Sequence, residues 1–329
     1  MKKHIIFTII FVIGLSLVLS IQTFAQEKYV FRLAHNNAID HPVDQGAKYL
    51  ANSIYEKTNG AIEIQVYPAA QLGDERQLGE GLQIGTIEMA FIASALLGQY
   101  SSEIKGLEGG YLFKDIEHWE KVTKSSIMEE ISQILIDNIG VKLIGTGYAG
   151  TRHLTTTNKP IYHPGDLKGL LLRTPQVDTY SVVWEALGAN VTGIAFNEVY
   201  MGLKMGIAEG QENPISSIYG MKFYEVQDYL IFTGHCISTN VFAMNYNKFN
   251  ELPQEYQELI LKEAQKAAEY AGSVYMEEET SLLPELEEYM TFIEVDKEEF
   301  MKAAQEGGME NWFIEQFGEE LFNDIQNMK

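Results

Sequence analysis

Two hydrophobic periodicities alternate along the chain after residue 26. Short β-branched and aromatic runs, which are typical of strands, alternate with segments whose apolar positions recur every three or four residues, as in amphipathic helices. This alternation predicts an α/β fold, with helices layered against sheet. The strand-like segments are residues 29–34, 61–67, 87–93, 141–145, 154–157, 170–172, 241–245 and 291–295.

One of the helical segments is unusually long. Residues 253–275 keep a helical pattern, and Pro253 suits the first turn of a helix. A helix of about 22 residues spans about 33 Å, which is long enough to brace two domains. The other predicted helices are residues 41–59, 71–84, 115–138, 177–187, 197–208, a segment around 300 and residues 312–325.

The first 25 residues have the pattern of a secretory signal peptide. Two lysines precede an almost wholly apolar run at 5–21, and small residues at 23–25 suit a cleavage site. A retained membrane anchor is the alternative, and both interpretations export the rest of the chain. The sole cysteine, Cys236, lies far from this run, so none is placed to carry a lipid. We expect a free periplasmic protein.

The charge balance limits the classes of partner. The chain has 24 lysines and arginines against 46 aspartates and glutamates, a net charge of −22. Because phosphate backbones are recognised by basic faces, we exclude nucleic acid as a partner. An anionic ligand would need a few local cations that act against the field of the whole protein.

The sequence lacks the common catalytic and cofactor motifs. Its histidines form no His-Glu-x-x-His pair, and neither Gly-x-Ser-x-Gly nor Gly-x-x-x-x-Gly-Lys occurs. Gly145, Gly147 and Gly150 match the dinucleotide pattern Gly-x-Gly-x-x-Gly, but a β-branched run follows where a helix should begin. We interpret the glycines as part of a chain crossing between domains. The prediction is a protein without metal or cofactor that is not an enzyme.

Two arginines are candidates for binding an anion. Arg173 ends the buried run 170–172, and Arg152 follows the glycine-rich crossing, so both are expected at strand ends, where α/β sheets collect ligands. A guanidinium can give a carboxylate two parallel hydrogen bonds. The alternatives are a structural ion pair for Arg173 and a surface position for Arg152.

Three other residues are weaker candidates. Asn213, in a predicted turn before Pro214, can cap a backbone group or read a ligand oxygen. Phe196 can wall a pocket or fill the core. His35, beyond the first strand, can donate to an anion or be a satisfied buried histidine.

Five ordered segments resemble the solute-binding proteins of tripartite ATP-independent periplasmic (TRAP) transporters, of the DctP-like type. The resemblance runs in order through nearly all of residues 28–325. Its segments are Tyr67-Pro68 to Gln71-Leu72-Gly73-Asp74-Glu75-Arg76, Gly150-Thr151-Arg152, residues 170–175, Ala195-Phe196-Asn197-Glu198-Val199-Tyr200, and Gly210-Gln211-Glu212-Asn213-Pro214 followed by residues 222–226.

The resemblance implies a fold of two α/β domains that close over a ligand like a clam shell. Crossing strands would join the domains, and the long helix would brace them. We expect domain I at residues 26–149 with 239–278, and domain II at residues 150–238 with 279–329.

The resemblance also implies roles for the candidate residues. Arg173 would anchor a carboxylate through two hydrogen bonds, with Arg152 as a second cation near it. Asn213 would hold the arginine or the ligand, and Phe196 would line the pocket.

His35 and Glu75 would be variable ligand contacts on the opposite domain. They suit hydroxyl, keto or second carboxylate groups, so a C4-dicarboxylate, a sugar acid and a hydroxy or keto acid remain open. In the sialic-acid-binding branch of the family, the position of Ala93 carries an acidic group, and its replacement disfavours sialic acid here.

The expected partners are a small organic anion and the membrane subunits of a TRAP transporter, one small with four helices and one large with twelve. The binding protein itself is expected to be a monomer. The alternative function is a periplasmic subunit that uses the same fold to report a ligand to a signalling receptor.

Overall fold

The computed structural model describes residues 28–328, and the predicted signal peptide lies outside the described residues. The strands are β1 (Tyr29–Ala34), β2 (Ile62–Tyr67), β3 (Met89–Ala93), β4 (Val141–Thr156), β5 (Leu171–Thr174), β6 (Asn190–Gly193), β7 (Gly210–Pro214), β8 (Tyr229–Asn245) and β9 (Thr291–Ile293).

Helices cover the sheet and connect its strands. Short 3-10 helices occur at Ser94–Gln99, Ser102–Leu107, Pro164–Leu167, Phe196–Glu198 and Phe223–Glu225. The α-helices are α1 (Pro42–Lys57), α2 (Glu75–Ile84), α3 (Ile116–Thr123), α4 (Ile127–Ile139), α5 (Asp178–Ala186), α6 (Val199–Lys204), α7 (Ile215–Gly220), α8 (Tyr246–Asn250), α9 (Gln254–Ser281), α10 (Leu283–Leu286), α11 (Lys297–Glu306), α12 (Met309–Phe317) and α13 (Glu319–Asn327).

The strands form one mixed sheet in the order β2-β1-β3-β8-β4-β7-β5-β6, with β9 beside β8. β1 is parallel to β2 and β3, and β5 is parallel to β6 and β7. Two parallel groups therefore lie at opposite ends of the sheet. We call the part built on β1–β3 the first lobe and the part built on β5–β7 the second lobe. This two-domain α/β arrangement confirms the predicted fold class, while the residue boundaries of the domains stay a prediction.

The long strands β4 and β8 pass through both lobes as an antiparallel pair. Val141 is paired with Asn245 in the first lobe, and Thr156 with Tyr229 in the second. The prediction of two separate strands at 141–145 and 154–157 was wrong, because the glycine-rich segment between them continues the same strand. Its register shifts between Tyr148 and Thr151.

The glycines of this crossing let helix α9 lie directly on β4. A Cβ on Gly145 would lie 2.7 Å from the backbone of Ala264, and one on Gly147 would lie 2.4 Å from the carbonyl oxygen of Ala268. Side chains at either position would push the helix away. The three glycines lie within strand β4 and open no helix, as expected from the β-branched run that follows them.

Helix α9 spans 28 residues and contacts β4, α1 of the first lobe and α7 of the second. The long helix predicted from periodicity is confirmed, although Pro253 is its N-cap rather than a first-turn residue. The buried face is rich in alanine, including Ala264, Ala267 and Ala271, which allows close packing on the sheet. None of the helices within 28–328 is both apolar and long enough to cross a bilayer.

Three predicted helices differ from the structure. The predicted helix 312–325 is divided at Gly318 into α12 and α13. Residues 115–138 form two helices, α3 and α4. The hydroxyl of Ser125 donates to the carbonyl of Val122 and accepts from the N–H of Ile127. These two hydrogen bonds end α3 and start α4. The predicted helix 197–208 is shortened to α6, which follows a 3-10 turn at Phe196–Glu198.

Candidate functional site

A cleft lies between the two lobes. It is bounded by the ends of β1 and β3 in the first lobe and by the ends of β5 and β7 in the second, the location at which parallel sheets bind ligands. Crossing strands and helix α9 complete its walls. The lining residues are Asn36, Asn37, Glu75, Ala93, Leu96, Ala149, Arg152, Pro175, Tyr180, Phe196, Asn213, Pro214, Ser217, Ser238, Asn240 and Tyr275.

Arg152 lies inside β4, where the residue is 5% exposed. Its Nε lies 2.5 Å from Oε2 of Glu212, and its Nη2 lies 2.8 Å from Oε1 of the same carboxylate. The guanidinium also stacks over the ring of Tyr180, at 4.7 Å from the ring centre. The expected strand-end position was wrong, because β4 continues past this residue, and Arg152 is not the surface cation of the alternative interpretation.

Glu212 and His235 hold Arg152 in a buried ionic network. Although burial alone would raise it, the charge of Arg152 and a hydrogen bond from His235 hold the pKa of Glu212 at about 2. Burial lowers the pKa of His235, so this histidine is neutral at pH 7. Its Nε2 lies 3.0 Å from Oε2 of Glu212, and its Nδ1 lies 2.9 Å from Oγ1 of Thr233. Since the carboxylate can only accept, Nε2 carries the proton.

Arg173 lies near the end of β5, as predicted, and is fully buried. Its Nε and Nη2 donate to the carbonyl oxygen of Ile194 at 2.9 and 2.6 Å. Its Nη1 has no hydrogen-bond partner among residues 28–328. Burial lowers the pKa of Arg173 to about 10, although the charges of Glu75 and Glu212 oppose that shift.

The ionic environment of Arg173 differs from that of the other arginines. Arg32, Arg76 and Arg152 each form an ion pair with a glutamate. Within the described part of the chain Arg173 forms none, so the structural ion pair proposed as its alternative role is absent there. Arg173 is not among the residues that line the cleft, and its guanidinium is a buried cation with a spare donor.

Asn213 lies in strand β7, and the predicted turn was wrong. Residues 210–214 pair with β4 and are therefore extended up to Pro214. The amide oxygen of Asn213 accepts from Nη2 of Arg152 at 3.3 Å, and its Nδ2 donates to Oε1 of Gln211 at 2.5 Å. Asn213 thus helps to orient Arg152 and also faces the cleft.

Phe196 combines the two roles that its sequence position left open. Its ring lines the cleft, and the residue is 7% exposed. It also packs edge-on against Phe223, with the ring centres 6.3 Å apart, in a hydrophobic cluster of the second lobe. The side chain therefore joins the cleft wall to the core.

Glu75 faces the cleft from the first lobe, where it begins helix α2. Asp74 caps this helix by accepting from the N–H of Gln77, which fixes the first turn. Asn36 donates from Nδ2 to Oε1 of Glu75 at 2.8 Å. Burial raises the pKa of Glu75, and the charges of Arg173 and Arg152 oppose that shift.

His35 is fully buried and is not part of the cleft lining. Its Nε2 lies 3.3 Å from Oδ1 of Asp44, which also binds Lys48. The ring therefore packs beneath the first-lobe wall, and a ligand contact by His35 stays a prediction. A different histidine connects the lobes: Nε2 of His41 lies 3.3 Å from Oγ of Ser217.

Sequence reasoning missed several residues of the site. Glu212 lies beside Asn213 in a run of three polar residues between Gly210 and Pro214. This polar run was the sequence signal that could have identified Glu212 as a site residue. Tyr180 gave no such signal. Its hydroxyl donates to Glu108, which is 72 positions away in the chain. No group of three or more histidine, cysteine or acidic residues within 28–328 is arranged to hold a metal ion.

A model of the DctP family, described as bacterial extracellular solute-binding protein, family 7, matches residues 33–312. The chain belongs to this family. A solute-binding protein of Roseobacter denitrificans is 33% identical over 289 residues, which make up 88% of this chain and 88% of that protein. The resemblance to TRAP solute-binding proteins is thereby confirmed.

Two solved TRAP periplasmic solute-binding proteins share the fold of this family member. The protein from Roseobacter denitrificans with bound L-galactonate superposes with a TM-score of 0.85 at 30% identity, covering 92% of this chain and 99% of that one. The protein from Polaromonas sp. JS666 bound to D-erythronate gives a TM-score of 0.87 at 27% identity, covering 92% and 99%.

Proposed function

We propose that this protein captures a small organic acid outside the cytoplasm and delivers it to the membrane subunits of a TRAP transporter. The carboxylate would be anchored by Arg173, with Arg152 and Asn213 beside it. The observation that carries the anchor is the buried guanidinium of Arg173, which has an unpartnered Nη1. The bound L-galactonate and D-erythronate of the two structural relatives support an acid as the ligand class.

The energetics of the anchor favour an anion. A buried donor without a partner costs about 1–3 kcal/mol, and a charged donor costs more. A ligand carboxylate would remove that cost and match the charge of Arg173, since Arg152 is already matched by Glu212. Charge-assisted hydrogen bonds of this kind contribute about 1.5–3 kcal/mol each. A neutral sugar or polyol would leave the cation unmatched.

Closure of the lobes over the ligand would present the loaded protein to its transporter. Contacts that already join the lobes include Lys105 with Asp178 at 3.0 Å and Gln99 with the carbonyl oxygen of Gln176 at 3.3 Å. A ligand that bridges the cleft would add to these contacts and favour the closed state. His35 and Glu75 are proposed as contacts from the first lobe.

Isothermal titration calorimetry of residues 26–329 tests the anchor. L-galactonate, D-erythronate and succinate are the acids, and galactitol is the uncharged control. We expect at least one acid to bind, no binding of galactitol, and a loss of at least about 100-fold in affinity for Arg173→Met, from two lost charge-assisted bonds. Arg32→Met removes an arginine outside the cleft lining and should bind normally. Normal binding by Arg173→Met would contradict the anchor.

Delivery needs a second experiment. Proteoliposomes that contain the four-helix and twelve-helix membrane subunits should take up radiolabelled ligand only when the binding protein and an ion gradient are present. Uptake that does not depend on the binding protein would contradict delivery and favour the sensor role.

Two further expectations have simple tests. The intact mass of the exported protein tests cleavage near Gln26, and light scattering tests whether the protein is a monomer.

A further inference from the structure

The cationic charge at the cleft is sufficient for one carboxylate. The charge of Arg152 is matched by Glu212 through two contacts, 2.5 and 2.8 Å long. Arg173 is therefore the unmatched cation, and no lysine from the described residues lines the cleft. A ligand with two carboxylates would bring one negative charge for which this end of the cleft has no partner.

The opposite wall carries a carboxyl group of its own. Oε1 of Glu75 accepts from Asn36, and Glu75 lines the cleft from the first lobe, while Asn213 and Pro214 line it from the second. A ligand carboxylate beside Glu75 would force one of the two acids to take up a proton, and that protonation would cost binding energy. A hydroxyl there would donate to the carboxylate of Glu75 and accept from a neighbouring amide.

The rest of the polar lining suits hydroxyl groups. It consists of side-chain amides and hydroxyls, which can both donate and accept hydrogen bonds. These groups come from both lobes and from the crossing strand β8, so they can surround a chain of several hydroxylated carbons. They include Asn36, Asn37, Ser217, Ser238 and Asn240.

We propose that the cleft selects hydroxylated monocarboxylates and that Glu75 excludes acids with a second carboxylate at the far end. This inference rests on the proposed function, because Arg173 must hold the first carboxylate. It makes Glu75 a specificity-determining residue. The expected ligands are aldonates, and C4-dicarboxylates and aldarates are expected to be excluded.

Matched pairs of ligands test this selection. L-galactonate and galactarate differ only at carbon 6, which is an alcohol in one and a carboxylate in the other, and D-erythronate and meso-tartrate differ in the same way at carbon 4. By titration calorimetry at pH 7.5, we expect the monocarboxylate of at least one pair to bind at least about 30-fold more tightly than its dicarboxylate, a like-charge penalty of about 2 kcal/mol.

Two variants assign the selection to Glu75. Glu75→Gln keeps the size of the side chain and removes its charge, so the ratio of the two affinities should fall at least tenfold, mainly through tighter binding of the dicarboxylate. Glu80→Gln removes an exposed glutamate from the same helix, outside the cleft lining, and should leave the ratio unchanged.

The outcomes separate this inference from the function beneath it. If galactarate, meso-tartrate or succinate binds the native protein as tightly as the monocarboxylates, or if Glu75→Gln leaves the ratio unchanged, the inference is overturned. Loss of binding in Arg173→Met would still support the proposed function in that case. If pyruvate binds and no hydroxylated acid does, the selection is again overturned. Binding of none of these acids would overturn both proposals.

Discussion

The guanidinium of Arg152 and the carboxylate of Glu212 form a buried pair with two contacts, Nε–Oε2 at 2.5 Å and Nη2–Oε1 at 2.8 Å. The two residues lie on neighbouring strands, β4 and β7, and their side chains are 6% and 0% exposed. The guanidinium also lies over the ring of Tyr180, and both residues line the cleft. The pair matters for stability because removal of either residue would leave the other charge buried and uncompensated.

Glu212→Gln should lower the free energy of unfolding by about 3–5 kcal/mol, because it leaves the buried charge of Arg152 uncompensated. Urea unfolding followed by circular dichroism at pH 7.5 measures this loss. Glu80→Gln, which breaks an exposed ion pair with Arg76, should cost less than about 1 kcal/mol. Equal unfolding midpoints for the two variants would show that Glu212 carries no special structural role.

Arg173→Met should leave the stability of the ligand-free protein within about 1 kcal/mol of the native value, or raise it. Burial has lowered the pKa of Arg173 to about 10, so the fold disfavours its charge, and apolar replacements of buried ions are often neutral or stabilising. Urea unfolding without ligand measures this change. A loss above about 3 kcal/mol would identify Arg173 as a structural residue and would weaken its assignment as a ligand anchor.

The stability should fall between pH 7.5 and pH 5 because two buried histidines resist protonation. Burial is the main cause that lowers the pKa of both His41 and His153 to about 3, whereas an unfolded histidine titrates near 6.5. Below about pH 6.5 the unfolded chain binds more protons than the folded one, so stability is lost as the pH falls towards 3. At pH 5 each histidine should cost about 2 kcal/mol.

His153→Asn tests this pH dependence. An asparagine oxygen can replace Nδ1 of His153 as the acceptor for the N–H of Gly234, and it does not titrate. The drop in unfolding free energy between pH 7.5 and pH 5 should shrink by about 2 kcal/mol. His163→Asn changes an exposed histidine whose pKa is raised by Glu299, and it should not reduce the drop. An unchanged drop in His153→Asn would contradict the prediction.

Local periodicity predicted most helices and strands of the fold. It failed where contacts between distant parts of the chain determine the secondary structure. Strand β1 and the long helix α9 followed from their own patterns. Strand β4 did not, because glycines have low strand propensity in isolation and are required here by the backbone of α9. The break between α3 and α4 depends on Ser125, whose competing hydrogen bonds a periodic pattern does not show.

The positions of candidate site residues were predictable where a charged side chain follows a predicted strand. Arg173 was expected at a strand end because a cation follows three leucines, and it lies near the end of β5. The pair of Arg152 and Glu212 was not, since the two residues are 60 positions apart and meet only through the register of β4 and β7. The place of His35 after β1 left its role open, and its contact with Asp44 on α1 follows only from the packing of that helix.

Gly147→Ala should destabilise the protein by about 1–3 kcal/mol or more, because the new Cβ would lie 2.4 Å from the carbonyl oxygen of Ala268 and helix α9 would have to move. The same helix contacts both lobes, so the displacement should also weaken ligand binding. Urea unfolding and titration calorimetry measure the two effects. Gly165→Ala is the matched control, since nothing lies within 4 Å of its Cβ position and its φ is not positive. If both variants unfold at the same urea concentration, close packing of α9 on β4 does not require Gly147.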